Sequence, residues 1–238
     1  MVIKNVVLKE LMNPIFHSPM SLAFEYCKGK GIEIGAAAHN PFSLPGCLNL
    51  SIYSNKPNSR AHKDFLMYQQ AQCNICGAYA YIDIASEAQA IPLKSRSQDY
   101  VISSHVIEHI PDLISAFLEW NRIVKAGGII FIIFPKRDAI QADSIRPLTP
   151  LEHFIEDFKL KRNADSHPLD PGHTFWGHYH VFSIQTILDI LEWSRSHVGL
   201  NWNVVLTEET DSKVGNGHTI VLRKKKFSFD WLKGKVGV

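Results

Sequence analysis

SEAQAIPLKSRSQDYVISSHVIEHIPDLISAFLEWNRIVKAGGIIFIIFP, residues 86–135, holds two apolar, β-branched runs separated by one helical pattern. The runs are Asp99–His105 and Ile129–Pro135, and the helical periodicity covers about 112–125. Strand, helix, strand in that order requires parallel pairing with a right-handed crossover. Working outward, further strand-like runs fall at Ile32–Gly35, Cys47–Tyr53, Tyr79–Ile84, Trp202–Thr207 and His218–Arg223. Helical patterns recur at about 60–72 and 183–195. The last two runs have no helix between them and are joined by Glu208–Gly217, whose Gly215-Asn216-Gly217 reads as a hairpin turn. The expected fold is therefore α/β: a Rossmann-like three-layer sandwich on a mostly parallel seven-stranded sheet with an antiparallel C-terminal hairpin.

Composition agrees with a single domain over 1–238. The 238 residues are 45% hydrophobic and 20% charged, enough for one sizeable core. A formal net charge of +2 forces no nucleic-acid partner. No apolar run reaches the length of a membrane helix, and the first twenty residues lack a signal peptide's apolar core, so a cytoplasmic location is expected. Residues 1–30 read as a helical lead-in, amphipathic around Ser21–Cys27. Residues 136–180 fit no regular element and carry Pro147, Pro150, Pro168 and Pro171. Lying after the fifth strand, at the sheet's carboxyl edge, they are expected to form a packed lid or substrate insertion around Phe154, Phe158, Phe175, Trp176 and Tyr179. The 227–238 tail mixes lysines with aromatics. It suits either a solvated end or a weak peripheral contact with anionic lipid.

The block 86–135 resembles class I S-adenosylmethionine-dependent methyltransferases of the type 11 group at nearly every landmark, and element order extends the resemblance over about 200 residues. Residues 138–158, with Arg146-Pro147-Leu148-Thr149 and Leu151-Glu152-His153, also look like a subgroup linked to bacterial surface-polysaccharide biosynthesis. The resemblance implies S-adenosylmethionine as cofactor. Glu33, Gly35, Ala36 and Ala37 take the place of the cofactor loop, where small residues let backbone N–H groups approach a ligand. The family's second and third loop glycines are here Ala37 and His39. The family's ribose-binding carboxylate is also absent, leaving Asn49 and Ser51 near its position. Glu87 and Ala88 fall where adenine is recognised, and Ser103, Ser104 and His105 fall under the methionine arm. Eleven residues between Gly35 and Cys47, broken by Pro41 and Pro45, leave at most one helical turn there.

Removing a proton from a hydroxyl acceptor suits a histidine; the candidates are His105, His109, His153, His178 and His180. Pro111 is expected in the first turn of the helix after His109. His105-Val-Ile-Glu-His109 also matches a zinc-peptidase signature, but that chemistry needs both histidines on one continuous helix, which a strand end and Pro111 forbid. His173, His178 and His180, with His153, form a metal candidate in which 178 and 180 share a strand face. With no carboxylate in register, the reading is no metal and a base or substrate contact instead. Cys73-x-x-Cys76 lacks a second pair, so it reads as free thiols. The function expected is O-methylation of a small molecule or glycan hydroxyl. The alternative is a non-catalytic scaffold on the same fold.

Overall fold

The computed structural model describes residues 21–38, 41–54, 60–168 and 177–226. A seven-stranded sheet runs β1 (Gly31–Ile34), β2 (Cys47–Ser51), β3 (Ile84–Ala85), β4 (Gln98–Ser104), β5 (Val124–Pro135), β6 (Trp202–Glu208) and β7 (Gly217–Lys224). Its order is β3-β2-β1-β4-β5-β7-β6. The first five strands pair in parallel, while β7 is antiparallel to both β5 and β6. This is the expected Rossmann-like α/β sheet. The helices are α1 (Ser21–Tyr26), α2 (Arg60–Cys76), α3 (Leu113–Ile123), α4 (Gln141–Ser144), α5 (Leu151–Leu160) and α6 (Ile184–Val198).

Both faces of the central strands are apolar because parallel strands are covered on both sides. On β5, Ile130, Ile132 and Phe134 join the core beneath α3 and α6, with Phe117, Trp120 and Trp202. Ile129, Phe131 and Ile133 face the other way, toward Tyr100, Phe42, Leu44 and the α1 residues Leu22 and Ala23. That second layer is thin. The β1–β2 connection is too short for a long helix, and no regular element appears in its described part.

Three expectations change. β3 is two residues rather than six, because side chains replace the ladder before it. Asn49 N–H donates to Asp83 Oδ2 (2.8 Å), and the Asn49 amide donates to the Tyr81 carbonyl (2.9 Å). Pro111 sits outside α3, whose N-cap is Asp112, accepting from Ser115 N–H at 2.9 Å. Residues 136–180 are not irregular throughout. α5 occupies ten of them, buries Phe154 in the main core and packs on α3 and α6. Phe175, Trp176 and His173 lie outside the described residues, as do His39, residues 1–20 of the lead-in and the 227–238 tail. Lys224, just before that tail, is buried; its ammonium donates to the Asn121 and Val124 carbonyls at the C-terminus of α3. No described helix is long and apolar enough to cross a membrane.

Candidate active site

β1 and β4 are neighbours although three elements separate them in sequence. The carboxyl ends of β1, β2 and β4 therefore meet at a switch point, where open α/β sheets bind ligands. A cavity of about 450 Å³ opens there, lined by Gly35, Ser51, Tyr53, Glu87, Ala88 and His105 among others. Gly35 turns the chain with φ +76, and a Cβ at that position would collide with Val106. The Tyr68 hydroxyl of α2 donates to the Ala36 carbonyl (2.7 Å), and Gln72 Oε1 accepts from Ala38 N–H (2.6 Å). The loop after β1 is thus pinned by α2, two contacts that no sequence motif announced.

On the far wall the Glu119–Arg122 pair of α3 grips the segment 91–93. Arg122 donates to the Ile91 and Leu93 carbonyls (2.9 and 2.7 Å), while Glu119 accepts from Ile91 N–H (2.7 Å). Trp120 Nε1 donates to the Ala88 carbonyl at 3.1 Å. Those bonds fix Glu87 and Ala88 at the cavity.

The other predicted cofactor residues divide. Ser51 lines the cavity, whereas the Asn49 side chain is committed to Tyr81. Ser103 is fully buried and Ser104 ends β4; neither lines the cavity. Glu33 is buried on the side of Phe42, with its carboxyl pushed up by burial and partly held down by Lys213. The Lys213 ammonium lies 3.7 Å over the Phe42 ring, and burial lowers its pKa to about 8. Its loop is organised by Asp211, which accepts from the N–H groups of Lys213, Val214, Gly215 and Gly217.

A second cavity of about 350 Å³ adjoins the first and shares His105 and His109 with it; Glu108, Ile140 and His178 complete its lining. His105 adopts a left-handed backbone, φ +53, at the end of β4, and Ile107–His109 is a single 3-10 turn. The zinc-peptidase helix is accordingly absent. Burial lowers the pKa of His105, and burial with neighbouring His178 lowers that of His109 to about 4, so both rings are neutral near pH 7. His109 Nδ1 lies 3.1 Å from the Gly177 carbonyl, which fixes its N–H there. Glu108 is fully buried and its carboxyl is raised to about 8 by burial; Oε1 stands 3.8 Å from His105 Nδ1.

His178 Nδ1 is 2.6 Å from Asp143 Oδ2, and buried Arg146 holds the same carboxylate at 2.9 Å. Arg146 also donates to the His178 and Tyr179 carbonyls, both at 3.0 Å. The carboxylate sets the tautomer of His178: Nδ1 keeps the proton and Nε2 keeps a lone pair. Asp143 was invisible to sequence reasoning because it sits 35 residues from its partner. His180 diverges from His178. It joins His153 around Asp157, and neither His153 nor His180 lines either cavity. No strand forms at 177–180, so the shared strand face does not occur.

Residues 62–132 match the family described as a methyltransferase domain. In fold the chain is similar to a SAM-dependent methyltransferase from Methanosarcina mazei, at 16% identity and TM-score 0.50, covering 87% of this chain and 98% of that one. It is equally similar to a candidate methyltransferase from Bacillus halodurans C-125, at 12% identity and TM-score 0.50, covering 90% and 100%. No curated protein sequence matches it. The fold is that of the class I S-adenosylmethionine-dependent methyltransferases, and the matched segment contains the Glu87–Ala88 wall, β4, the turn at His109 and most of β5.

Proposed function

We propose that this chain transfers a methyl group from S-adenosylmethionine to a hydroxyl of a small molecule or glycan, with His178 as the general base. The observation that carries the proposal is the Asp143–His178 pair beside a cavity that shares His105 and His109 with the switch-point cavity. The switch-point cavity fits the cofactor: Gly35 leaves the backbone approach open, and Ser51, Glu87 and Ala88 stand at its rim. S-adenosylmethionine, when bound, supplies an electrophilic methyl group. The chain's residues do the rest. Gly35, Ser51 and Glu87–Ala88 hold the donor, and neutral His105 and His109 wall the passage between the cavities. His178 Nε2 accepts the acceptor's proton while Asp143 and Arg146 stabilise the imidazolium that results. A role in bacterial surface-polysaccharide assembly, and a glycan acceptor in particular, rests on the resemblance of residues 138–158 and belongs to this proposal.

A non-catalytic scaffold is the second reading, favoured by Ser51 in place of a ribose carboxylate. Calorimetry with S-adenosylhomocysteine separates the two. Binding that Glu87→Arg abolishes supports the methyltransferase; no binding by the folded wild-type chain supports the scaffold. Transfer of labelled methyl to hydroxyl-bearing but not amine-bearing acceptors then tests the base. Transfer that His178→Ala leaves unchanged would remove His178 from the mechanism.

A further inference from the structure

Four ligand-type atoms from three chain segments converge on one point beneath α5. They are His153 Nε2 and Asp157 Oδ2 from one helical face, His167 Nε2 from the loop after α5, and His180 Nε2 from the segment before α6. The separations are 3.0 Å for His153–His167, 3.3 Å for His167–His180 and 3.1 Å for His180–Asp157. His153–Asp157 is 3.3 Å and His167–Asp157 is 3.4 Å. A tetrahedron whose corners lie about 2.0 Å from a central zinc ion has edges of roughly 3.3 Å. Five of the six edges therefore match a metal-sized tetrahedron, and the sixth, between His153 and His180, lies within 4.8 Å.

The protonation chemistry points the same way. His167 Nδ1 stands 2.8 Å from the Pro168 carbonyl, so its N–H is spent there and Nε2 presents a lone pair. His153 and His180 aim their own Nε2 atoms at that lone pair. Two Nε2 protons, on His153 and His180, can each serve one partner and leave the lone pairs of His167 and Asp157 facing each other at 3.4 Å; a divalent cation accepts all four ligand atoms at once. His153 and Asp157 are spaced i, i+4, the spacing that puts two ligands over one helix turn.

We propose that His153, Asp157, His167 and His180 bind one zinc ion, or a divalent ion of similar size and ligand preference, in a closed structural site. Four protein ligands leave no open position. Asp157, His167 and His180 are buried, and His153 is the exposed corner at 24%. The ion clips the loop after α5 and the segment around His180 onto the helix. His178, two residues away, is thereby held toward Asp143. The site is independent of the methyl-transfer reading.

The test uses the full chain without a histidine tag, freed of metal and reconstituted with Co(II) or Zn(II). One equivalent of zinc by mass spectrometry and an intense, tetrahedral-type Co(II) visible spectrum are expected. His153→Ala, at the exposed corner, is expected to bind about tenfold more weakly or worse, as is His167→Gln. His178→Ala keeps one equivalent. No uptake by folded wild type, a weak octahedral spectrum, or equal affinity in the His153 and His167 variants would each overturn the site. If either variant fails to fold, the other variant and the wild-type Co(II) spectrum decide.

Discussion

Glu108 carries no net charge-pairing partner of opposite sign: neutral His105 stands 3.8 Å from it, Asp143 raises it further, and its Oε2 has no partner among the described residues. Its carboxyl titrates near 8 in the fold against an ordinary 4.5. As pH rises between those values the unfolded chain gives up its proton first, so the folded state loses stability through that window. Glu108→Gln keeps the shape and removes the titration. Its thermal midpoint should match wild type near pH 4 and exceed it above pH 8, by on the order of 2–4 kcal/mol in stability. Identical pH profiles would place Glu108 in contact with water or a cation. At Ser51, substitution by Asp restores a charged acceptor on the cavity wall and should tighten S-adenosylhomocysteine binding by about 1–2 kcal/mol in calorimetry. Weaker binding would mean that another group grips the ribose. His178→Ala should lower kcat by about 10²–10⁴ while leaving S-adenosylhomocysteine affinity intact, since a general base acts on the acceptor.

The loop joining β6 to β7 is held by one side chain. Asp211 is buried and accepts four backbone N–H groups, which hold its carboxyl below the ordinary value despite burial. Asp211→Ala should cost about 3 kcal/mol in urea unfolding and disorder Lys213; a loss under about 0.5 kcal/mol would show that the strand register alone fixes the loop. Elements of this kind mark what the sequence could reveal. Alternating apolar runs at β4 and β5, and the helical period between them, were legible because their contacts are local or between adjacent units. β3 is shorter than its composition suggests, since Tyr79–Asp83 pairs through the Asn49 and Asp83 side chains and a single backbone bond, from Asp83 N–H to the Asn49 carbonyl. The helix α5 was hidden by four prolines around it. Yet Pro150 is its N-cap, one residue before the first helical position that proline favours. That Gly35, Ser51, Glu87 and Ala88 line one cavity was legible because a motif fixes their offsets from the strands. Asp143, Asp157 and His167 were not, because partners 35, 23 and 13 residues apart meet only after the insertion packs.

For the whole molecule, a ligand that binds only the folded chain stabilises it by mass action. At a hundredfold excess over its dissociation constant S-adenosylhomocysteine should contribute about 2.7 kcal/mol, read as a rise in thermal midpoint that Glu87→Arg abolishes. A rise retained by that variant would show that Glu87 takes no part in binding. The strand order has a further consequence, for synthesis. β7 is the last of the described strands along the chain, yet it lies between β5 and β6. Until Lys224 has left the ribosome, β5 presents an unpaired apolar edge and β6 has no neighbour. The nascent chain can build β1 to β5 but must hold that edge open until β7 inserts. Chains stalled before residue 217 should remain protease-sensitive and recruit chaperones, and resistance should appear in one step when the strand is complete.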